Sequence, residues 1–218
     1  MTASTTLVLI RHGETEWNRQ GRYQGHADSP LTDRGRAQAR ALAGALAGES
    51  FGAFYSSDLG RAVKTASIIA DRVGRRFLTD RRLREQHYGL MQGHGERRAR
   101  ELDPGFFESL ENGNAEYAPR GGESRRQRHE RAIGVLEEIA ARHPGETILV
   151  VTHGGIVDSL FRETLGIPPE SPRRYSLYNA ALNRFARSGD LWSLLLWGDV
   201  SHLSSAGTTD AGHRFTAA

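Results

Sequence analysis

Leu7-Val8-Leu9-Ile10-Arg11-His12-Gly13-Glu14-Thr15 is the stretch that predicts the fold, because an apolar run leads directly into a polar cluster. Four apolar residues, most of them β-favouring, predict a buried strand. The pattern returns late in the chain as Thr147-Ile148-Leu149-Val150-Val151-Thr152-His153-Gly154-Gly155. Ligands of an open α/β sheet bind beyond the carboxyl ends of its strands. Two strands that each end in a histidine and a glycine therefore predict one site built from two distant segments.

A structural role is the alternative for each histidine taken alone. A single histidine after a strand is more often a hydrogen-bonded turn residue than a catalytic one. Here the same context occurs twice, and Arg11 precedes the first histidine. The repetition favours a chemical role for His12 and His153.

The remaining pattern predicts helices that alternate with strands. Strands are expected at Phe51–Tyr55 and Arg75–Thr79, a hairpin at Tyr175–Ala186 and Leu191–Trp197, and helices from Thr32 to about Ala47, from Leu59 to about Val73, after Ser124 to about Arg142 and from Ile156 to Leu165. This alternation predicts an α/β fold, a three-layer α/β/α arrangement with a mostly parallel central sheet.

The length of 218 residues fits a single domain, 1–218, with an insertion. Short polar helical segments between Glu96 and Tyr117 are broken by Pro104 and Gly113. They predict a small helical cap inserted at about 92–120. From about 204 the residues are small and polar, so we expect a disordered tail over about 204–218.

The composition excludes several classes of function. The chain has no cysteine, which excludes disulfides and thiolate chemistry. No apolar run approaches the roughly 20 residues that span a bilayer, and no signal peptide is present, so we expect a cytoplasmic protein without a membrane partner. The net charge is only +3 and basic residues are scattered among acids, so no nucleic-acid partner is expected. No tight spacing of histidines and carboxylates predicts a metal site.

Arg61 is a further candidate, because it follows a predicted strand and lies in the first turn of a predicted helix. A helix N-terminus favours anions through its free N–H groups and its dipole. An arginine there would add a bidentate clamp for phosphate. The alternative is a solvated surface arginine.

Four segments together resemble a known family. They are Arg11-His12-Gly13-Glu14-Thr15, Ser57-Asp58-Leu59-Gly60-Arg61-Ala62, Glu85 before Tyr88-Gly89, and Thr152-His153-Gly154-Gly155. In their order they resemble the signatures of the histidine phosphatase (phosphoglycerate mutase-like) superfamily, and the likeness spans nearly the whole chain. The general layout is similar to that of the small bacterial phosphatases.

The resemblance implies a role for each residue. His12 would be the nucleophile that forms a phosphohistidine, and Arg11, Arg61 and His153 would surround the transferred phosphoryl. Glu85 would protonate the leaving oxygen and later activate water; without the family pattern it would be an ordinary surface carboxylate. The chemistry is consistent, because a neutral imidazole is a competent nucleophile and cations stabilise the charge that spreads over a phosphoryl transition state. It requires no cofactor.

Six further residues are expected to bind a small phosphomonoester substrate. They are Asn18, Gln24, Gly25, Tyr88, Gly154 and Asn179. His26, His87 and His94 could reach the mouth of the site.

We predict a metal-independent phosphomonoesterase, with a cofactor-dependent phosphoglycerate mutase as the alternative. Such mutases look longer in the middle and carry a Trp-Arg-Arg segment, which is absent between Gly93 and Gly121. Arg97-Arg98 and Arg125-Arg126 are possible substitutes for the contact of that segment with the substrate carboxylate, although each pair fits a solvated helix face better. Gln92 favours neither class strongly, since many of these phosphatases have a glutamate there. The third interpretation is a catalytically dead phosphate-binding or regulatory protein.

Pairing of the predicted edge strand Leu191–Trp197 between two copies of the chain would allow a homodimer.

Overall fold

The computed structural model describes residues 4–208, and its helices and strands alternate along most of the chain. The strands are β1 (Thr5–Arg11), β2 (Ala53–Ser56), β3 (Leu78–Thr79), β4 (Thr147–Thr152), β5 (Leu182–Ser188) and β6 (Leu191–Asp199). The helices are α1 (Glu16–Arg19), α2 (Asp33–Ala45), α3 (Gly60–Val73), α4 (Glu96–Leu102), α5 (Pro104–Glu111), α6 (Arg125–Arg142) and α7 (Gly154–Leu165). Short 3-10 turns cover Arg81–Leu83, Gly89–Met91 and Ser201–Leu203.

The six strands form one sheet in the order β3-β2-β4-β1-β5-β6. β1, β2, β3 and β4 run parallel, and β5 and β6 are antiparallel at one side. In the register of β1 and β4, Arg11 lies opposite Thr152. The backbone N–H of His12 also donates to the carbonyl of Thr152 at 2.9 Å. His12 and His153 therefore leave neighbouring strands at the same edge, as the sequence predicts.

Both faces of the sheet are covered by helices, which confirms the three-layer α/β/α fold. Leu7 and Leu9 of β1 pack in a cluster with apolar residues of α6 and α7. Val8 and Ile10 point to the opposite face and pack with residues of α2 and α3. Because side chains alternate along a strand, a continuous apolar run is what a sheet buried on both sides needs.

The predicted cap region contains two short helices, α4 and α5, with an apolar cluster of its own. The cluster consists of Tyr23, Met91, Ala99, Phe106 and Phe107, all buried. Asp103 joins the two helices and caps α5 by accepting from the Phe106 N–H at 3.1 Å.

No helix within residues 4–208 has both the length and the apolar character that crossing a membrane requires.

Two predicted elements differ from the structure. The strand predicted at Arg75–Thr79 is reduced to β3, which pairs only with Tyr55 and Ser56 of β2. The first hairpin strand begins at Leu182 rather than Tyr175. Ala180 adopts a positive φ of 55°, which interrupts extended backbone just before β5.

The C-terminal part of the described chain packs against α2. Gln38 donates to the carbonyl of Gly207 at 3.0 Å, so the chain is still packed three residues past the predicted start of the tail. Residues 209–218 of that predicted tail lie outside the described residues. The outer edge of β6 exposes Leu191 and Leu195, and the homodimer stays a prediction.

The N-terminus of α2 touches the loop that follows His12, and two glycines allow the contact. A Cβ on Gly35 would lie 2.0 Å from the carbonyl oxygen of Glu14, and one on Gly13 would lie 2.4 Å from that of Gly35. Since both neighbours are backbone, neither clash is relieved by moving a side chain.

We expect Gly35→Ala to lower the free energy of unfolding by about 1–3 kcal/mol through this clash. Gly44→Ala, a matched control on α2, meets no atom within 4 Å. It should stabilise the protein by about 0.5–1 kcal/mol, because alanine is the better helix former. Urea denaturation of both variants measures the difference, and equal effects would contradict the close backbone contact.

Candidate active site

His12 lies directly after β1 and is held in one tautomer by the backbone. Its Nδ1 is 2.8 Å from the carbonyl oxygen of Gly13. A carbonyl only accepts, so Nδ1 carries the proton and donates it. The Nε2 atom therefore holds a lone pair, and the Nε of Arg61 approaches it at 3.2 Å. The arrangement presents an unprotonated imidazole nitrogen to the cavity.

Arg61 lies in the first turn of α3, and its buried guanidinium is held by the loop that follows α1. Nη2 donates to the carbonyl of Gly25 at 2.7 Å, and Nη1 donates to the carbonyl of Ala27 and to Asp28 Oδ1, both at 2.9 Å. Asp28 also accepts from the Arg61 backbone N–H. These contacts fix the guanidinium beside His12.

Arg11 and His153 complete the surroundings of His12. The Arg11 side chain is buried and donates to the carbonyl of Leu177. The ring of His153 packs edge-on against that of His12, with centroids 5.2 Å apart. Its Nε2 contacts the Ser57 hydroxyl at 2.8 Å, and its buried Nδ1 has no hydrogen-bond partner among the described residues. His153 thus lies against the predicted nucleophile rather than on the cavity wall.

Burial, with the positive charge of the surroundings, keeps both histidines neutral. Burial, with the positive charges of Arg61 and Arg11, holds the pKa of His12 well below its usual value. Burial and the charge of Arg61 do the same to the pKa of His153. At neutral pH the imidazole of His12 is consequently in the form that can act as a nucleophile.

Glu85 reaches the site from the loop after β3 and binds at the N-terminus of α7. Its Oε2 accepts from the Gly155 N–H at 2.9 Å, and its Oε1 accepts from the Gln86 N–H at 2.8 Å. A Cβ on Gly155 would lie 2.1 Å from Glu85 Oε1. Glycine at this position therefore permits the carboxyl to approach the helix end.

These residues border a cavity of about 490 Å³ at the carboxyl edge of the sheet. Nine residues of the predicted site line it: Arg11, His12, Asn18, Gln24, Gly25, Arg61, Glu85, Tyr88 and Gly154. His153 and Asn179 do not. The histidines His26, His87 and His94 are also absent from the lining.

Asn179 is a predicted substrate contact that the structure places beneath the site instead. It is fully buried, and its Nδ2 donates to the carbonyl of His12 at 2.8 Å and lies 3.4 Å from Asn18 Oδ1. The next residue, Ala180, donates its N–H to the carbonyl of Arg11 at 2.9 Å. Asn179 therefore positions the backbone of the site, and its role as a substrate contact stays a prediction.

Several lining residues were missed by sequence reasoning, chiefly a group of arginines. The group comprises Arg128, Arg162 and Arg173. A usable signal was the spacing of Arg125 and Arg128, since residues three apart share one face of a helix. Of the arginine pairs considered as carboxylate binders, only Arg125 lines the cavity. Arg126 pairs with Glu116 and Glu170 at the surface.

The arrangement has the parts that phosphoryl transfer requires. A buried neutral imidazole borders a cavity, two arginines flank it, and a carboxyl group lines the same cavity. Within residues 4–208 no three His, Cys, Asp or Glu side chains are grouped in a way that could hold a metal ion. Cationic donors beside a nucleophile can stabilise the charge of a phosphoryl group in transit.

Comparison with known proteins agrees with this class of site. A sequence model of the histidine phosphatase superfamily (branch 1) matches residues 7–200. The chain is 40% identical over 210 residues to Phosphoglycerate mutase-like protein 4 of Arabidopsis thaliana, covering 94% of this chain and 90% of the relative. It is 38% identical over 214 residues to the Metal-independent phosphoserine phosphatase of the same plant, covering 95% and 87%. The solved structure of Bacillus stearothermophilus YhfR superposes with a TM-score of 0.85 at 36% identity, covering 91% of this chain and 99% of that one.

The fold and the site thus define an enzyme of the phosphatase class. The chain belongs to the histidine phosphatase superfamily.

We expect the burial of neutral His153 to make the protein sensitive to acid. Below pH 6.5 the imidazole of His153 is protonated in the unfolded chain but stays neutral in the folded protein. The free energy of unfolding therefore decreases as the pH is lowered. In His153→Gln this fall between pH 7 and pH 5 should be smaller by about 2 kcal/mol. Urea denaturation at the two pH values measures it, and an unchanged fall would contradict the low pKa of His153.

Proposed function

We propose that the protein is a metal-independent phosphomonoesterase that acts on a small phosphorylated metabolite through a phosphohistidine at His12. The tautomer of His12 carries the proposal. With Nδ1–H bound to the carbonyl of Gly13, Nε2 keeps its lone pair, which accepts from the Arg61 Nε–H at 3.2 Å. A nucleophile so oriented needs no further base.

In the first step Nε2 attacks phosphorus, and the bond from phosphorus to the ester oxygen breaks. The carboxyl of Glu85 gives its proton to that oxygen, which leaves as an alcohol. The Arg61 Nε–H, which donates to His12 Nε2 in the free protein, then binds a phosphoryl oxygen, together with Arg11. The proton stays on Nδ1 and is donated to the carbonyl of Gly13, whose dipole stabilises the positive charge on the phosphorylated imidazole.

In the second step the carboxylate of Glu85 takes a proton from water as the water oxygen attacks phosphorus. The bond from Nε2 to phosphorus breaks and inorganic phosphate leaves, which restores neutral His12 and protonated Glu85. The same carboxyl serves as acid and then as base because both reacting oxygens occupy the same side of phosphorus in turn.

The relatives support hydrolysis without a metal. One of them is named a metal-independent phosphoserine phosphatase, and it matches 95% of this chain. Another is named a phosphoglycerate mutase-like protein, so transfer of the phosphoryl to a second substrate oxygen is the competing outcome.

The first test is phosphate release, in excess EDTA, from a panel of phosphomonoesters that includes 3-phosphoglycerate. We expect hydrolysis of at least one member and its loss by at least about 10³-fold in His12→Ala, since the covalent route is then closed. His129→Ala is the control, because His129 pairs with Glu163 and does not line the cavity. Full activity of His12→Ala would refute the assignment.

Silence of the wild-type protein across the panel would contradict the phosphatase proposal. The mutase is then tested by adding a bisphosphorylated primer and following the conversion of 3-phosphoglycerate into its 2-phospho isomer. A protein that also fails this assay but binds phosphate would have only a binding role.

Glu85→Gln tests the general acid. Glutamine retains an oxygen that can accept from the Gly155 N–H but supplies no acidic proton. Turnover of alkyl phosphates should fall by about 10²–10⁴-fold, because an alkoxide leaves poorly without protonation. Aryl phosphates should lose much less, since a phenolate leaves more readily. Equal losses on both kinds of substrate would remove the acid role of Glu85.

A further inference from the structure

Arg128, near the start of α6, is a buried cation on the cavity wall that its neighbours bind only in part. Its side chain is 9% exposed. Nη2 donates to Asp158 Oδ2 at 3.1 Å, and Nη1 reaches Gln86 Oε1 only at 3.5 Å. Its Nε has no hydrogen-bond partner among the described residues. A guanidinium carries more donors than these contacts use, so Arg128 retains donors for a ligand.

Asp158 is the carboxylate beside Arg128, and it is shared. The same Oδ2 accepts from Arg162 Nε at 3.0 Å, and Oδ1 accepts from the Tyr175 hydroxyl at 2.7 Å. Arg128, Asp158 and Arg162 are all more than nine-tenths buried. One negative charge thus faces two buried positive charges.

Arg125 adds a third cation to this group. It donates to the carbonyls of Pro169 and Ser109, at 3.2 and 3.1 Å. Burial, followed by the positive charges of Arg128 and Arg162, lowers the pKa of Arg125. Excess buried charge is unfavourable unless it is paired, so the group favours an incoming anion.

The group lies next to the residue that handles the leaving oxygen. Arg125, Arg128, Asp158 and Arg162 line the same cavity as Glu85. Gly155 separates Glu85 from Arg128, since a Cβ there would lie 2.1 Å from Glu85 Oε1 and 2.9 Å from Arg128 Cδ. An anion bound by Arg128 therefore belongs to the leaving-group part of the substrate, close to the ester oxygen.

We infer that Arg125, Arg128, Asp158 and Arg162 form a carboxylate-binding subsite, and that the substrate is the phosphomonoester of a small hydroxy acid. This inference rests on the proposed phosphatase function. Arg128 supplies the main contact, because a planar guanidinium matches the two oxygens of a carboxylate. Arg125 acts mainly through its charge, as carbonyl oxygens already occupy its terminal nitrogens.

The test compares kcat/KM for 3-phosphoglycerate and glycerol 3-phosphate, which carries a hydroxymethyl group in place of the carboxylate. The wild-type protein should prefer 3-phosphoglycerate by about 10-fold or more, as expected for one hydrogen bond to a charged group. In Arg128→Gln the value for 3-phosphoglycerate should fall about 10- to 100-fold, chiefly through KM. The value for glycerol 3-phosphate should stay within about 3-fold, which also shows that the variant folds.

Arg126→Gln is the matched control, because it removes the same charge from the same helix. Arg126 binds Glu116 and Glu170 outside the cavity, so the ratio of the two substrates should not change. A third substrate, 1,3-propanediol bisphosphate, separates a carboxylate from a second phosphate. It should be hydrolysed less efficiently than 3-phosphoglycerate.

Each other outcome has a distinct meaning. Equal use of the two substrates by the wild-type protein, or loss of both in Arg128→Gln, would overturn the subsite while hydrolysis that needs His12 stands. A preference for the bisphosphate that Arg128→Gln removes would overturn the carboxylate assignment. Absence of any hydrolysis that depends on His12 would instead overturn the proposed function itself.

Discussion

Parallel pairing of β1 with β4 is the constraint on which the site depends. The register that sets Arg11 opposite Thr152 makes β1 and β4 end side by side, so His12 and His153 come into ring contact. The pairing is secured by apolar side chains buried on both faces of the sheet. A shift of one residue in either strand would turn its side chains to the opposite face and separate the histidines.

Positive charge is the second organising feature, and it has two effects. Around His12, burial and then the charges of Arg61 and Arg11 disfavour protonation, so the cations that favour an anion also help to keep the imidazole neutral. Farther out, Asp158 balances only part of the charge of Arg128 and Arg162. The inner cations suit a phosphoryl group, and the outer ones suit whatever negative group accompanies it. The cavity thus has two cationic regions, one around His12 and one around Arg128 and Arg162, which suit different parts of a ligand.

Local patterns account for what the sequence could predict. An apolar run before Arg11-His12-Gly13 predicted both the strand and the position at which it ends, because both depend on residues that are adjacent in the sequence. The orientation of Arg128 depends on which surface α6 meets, and helix periodicity shows only that Arg125 shares its face. Asn179 was predicted to contact the substrate, whereas in the structure its amide donates to the backbone of His12, because proximity in sequence to β5 does not tell whether an amide meets backbone or substrate.

The loop after α1 links the cap to Arg61 through three consecutive residues, from Tyr23 to Gly25. Tyr23 is buried in the apolar cluster of the cap, and its backbone bonds to His94 and Gly93. Gly25, two positions on, accepts from Arg61 through its carbonyl. Repacking of Phe106 or Phe107 beneath Tyr23 is therefore transmitted to the guanidinium beside His12. Selection for a new substrate through the cap cannot be independent of selection on turnover, because one short segment of backbone serves both.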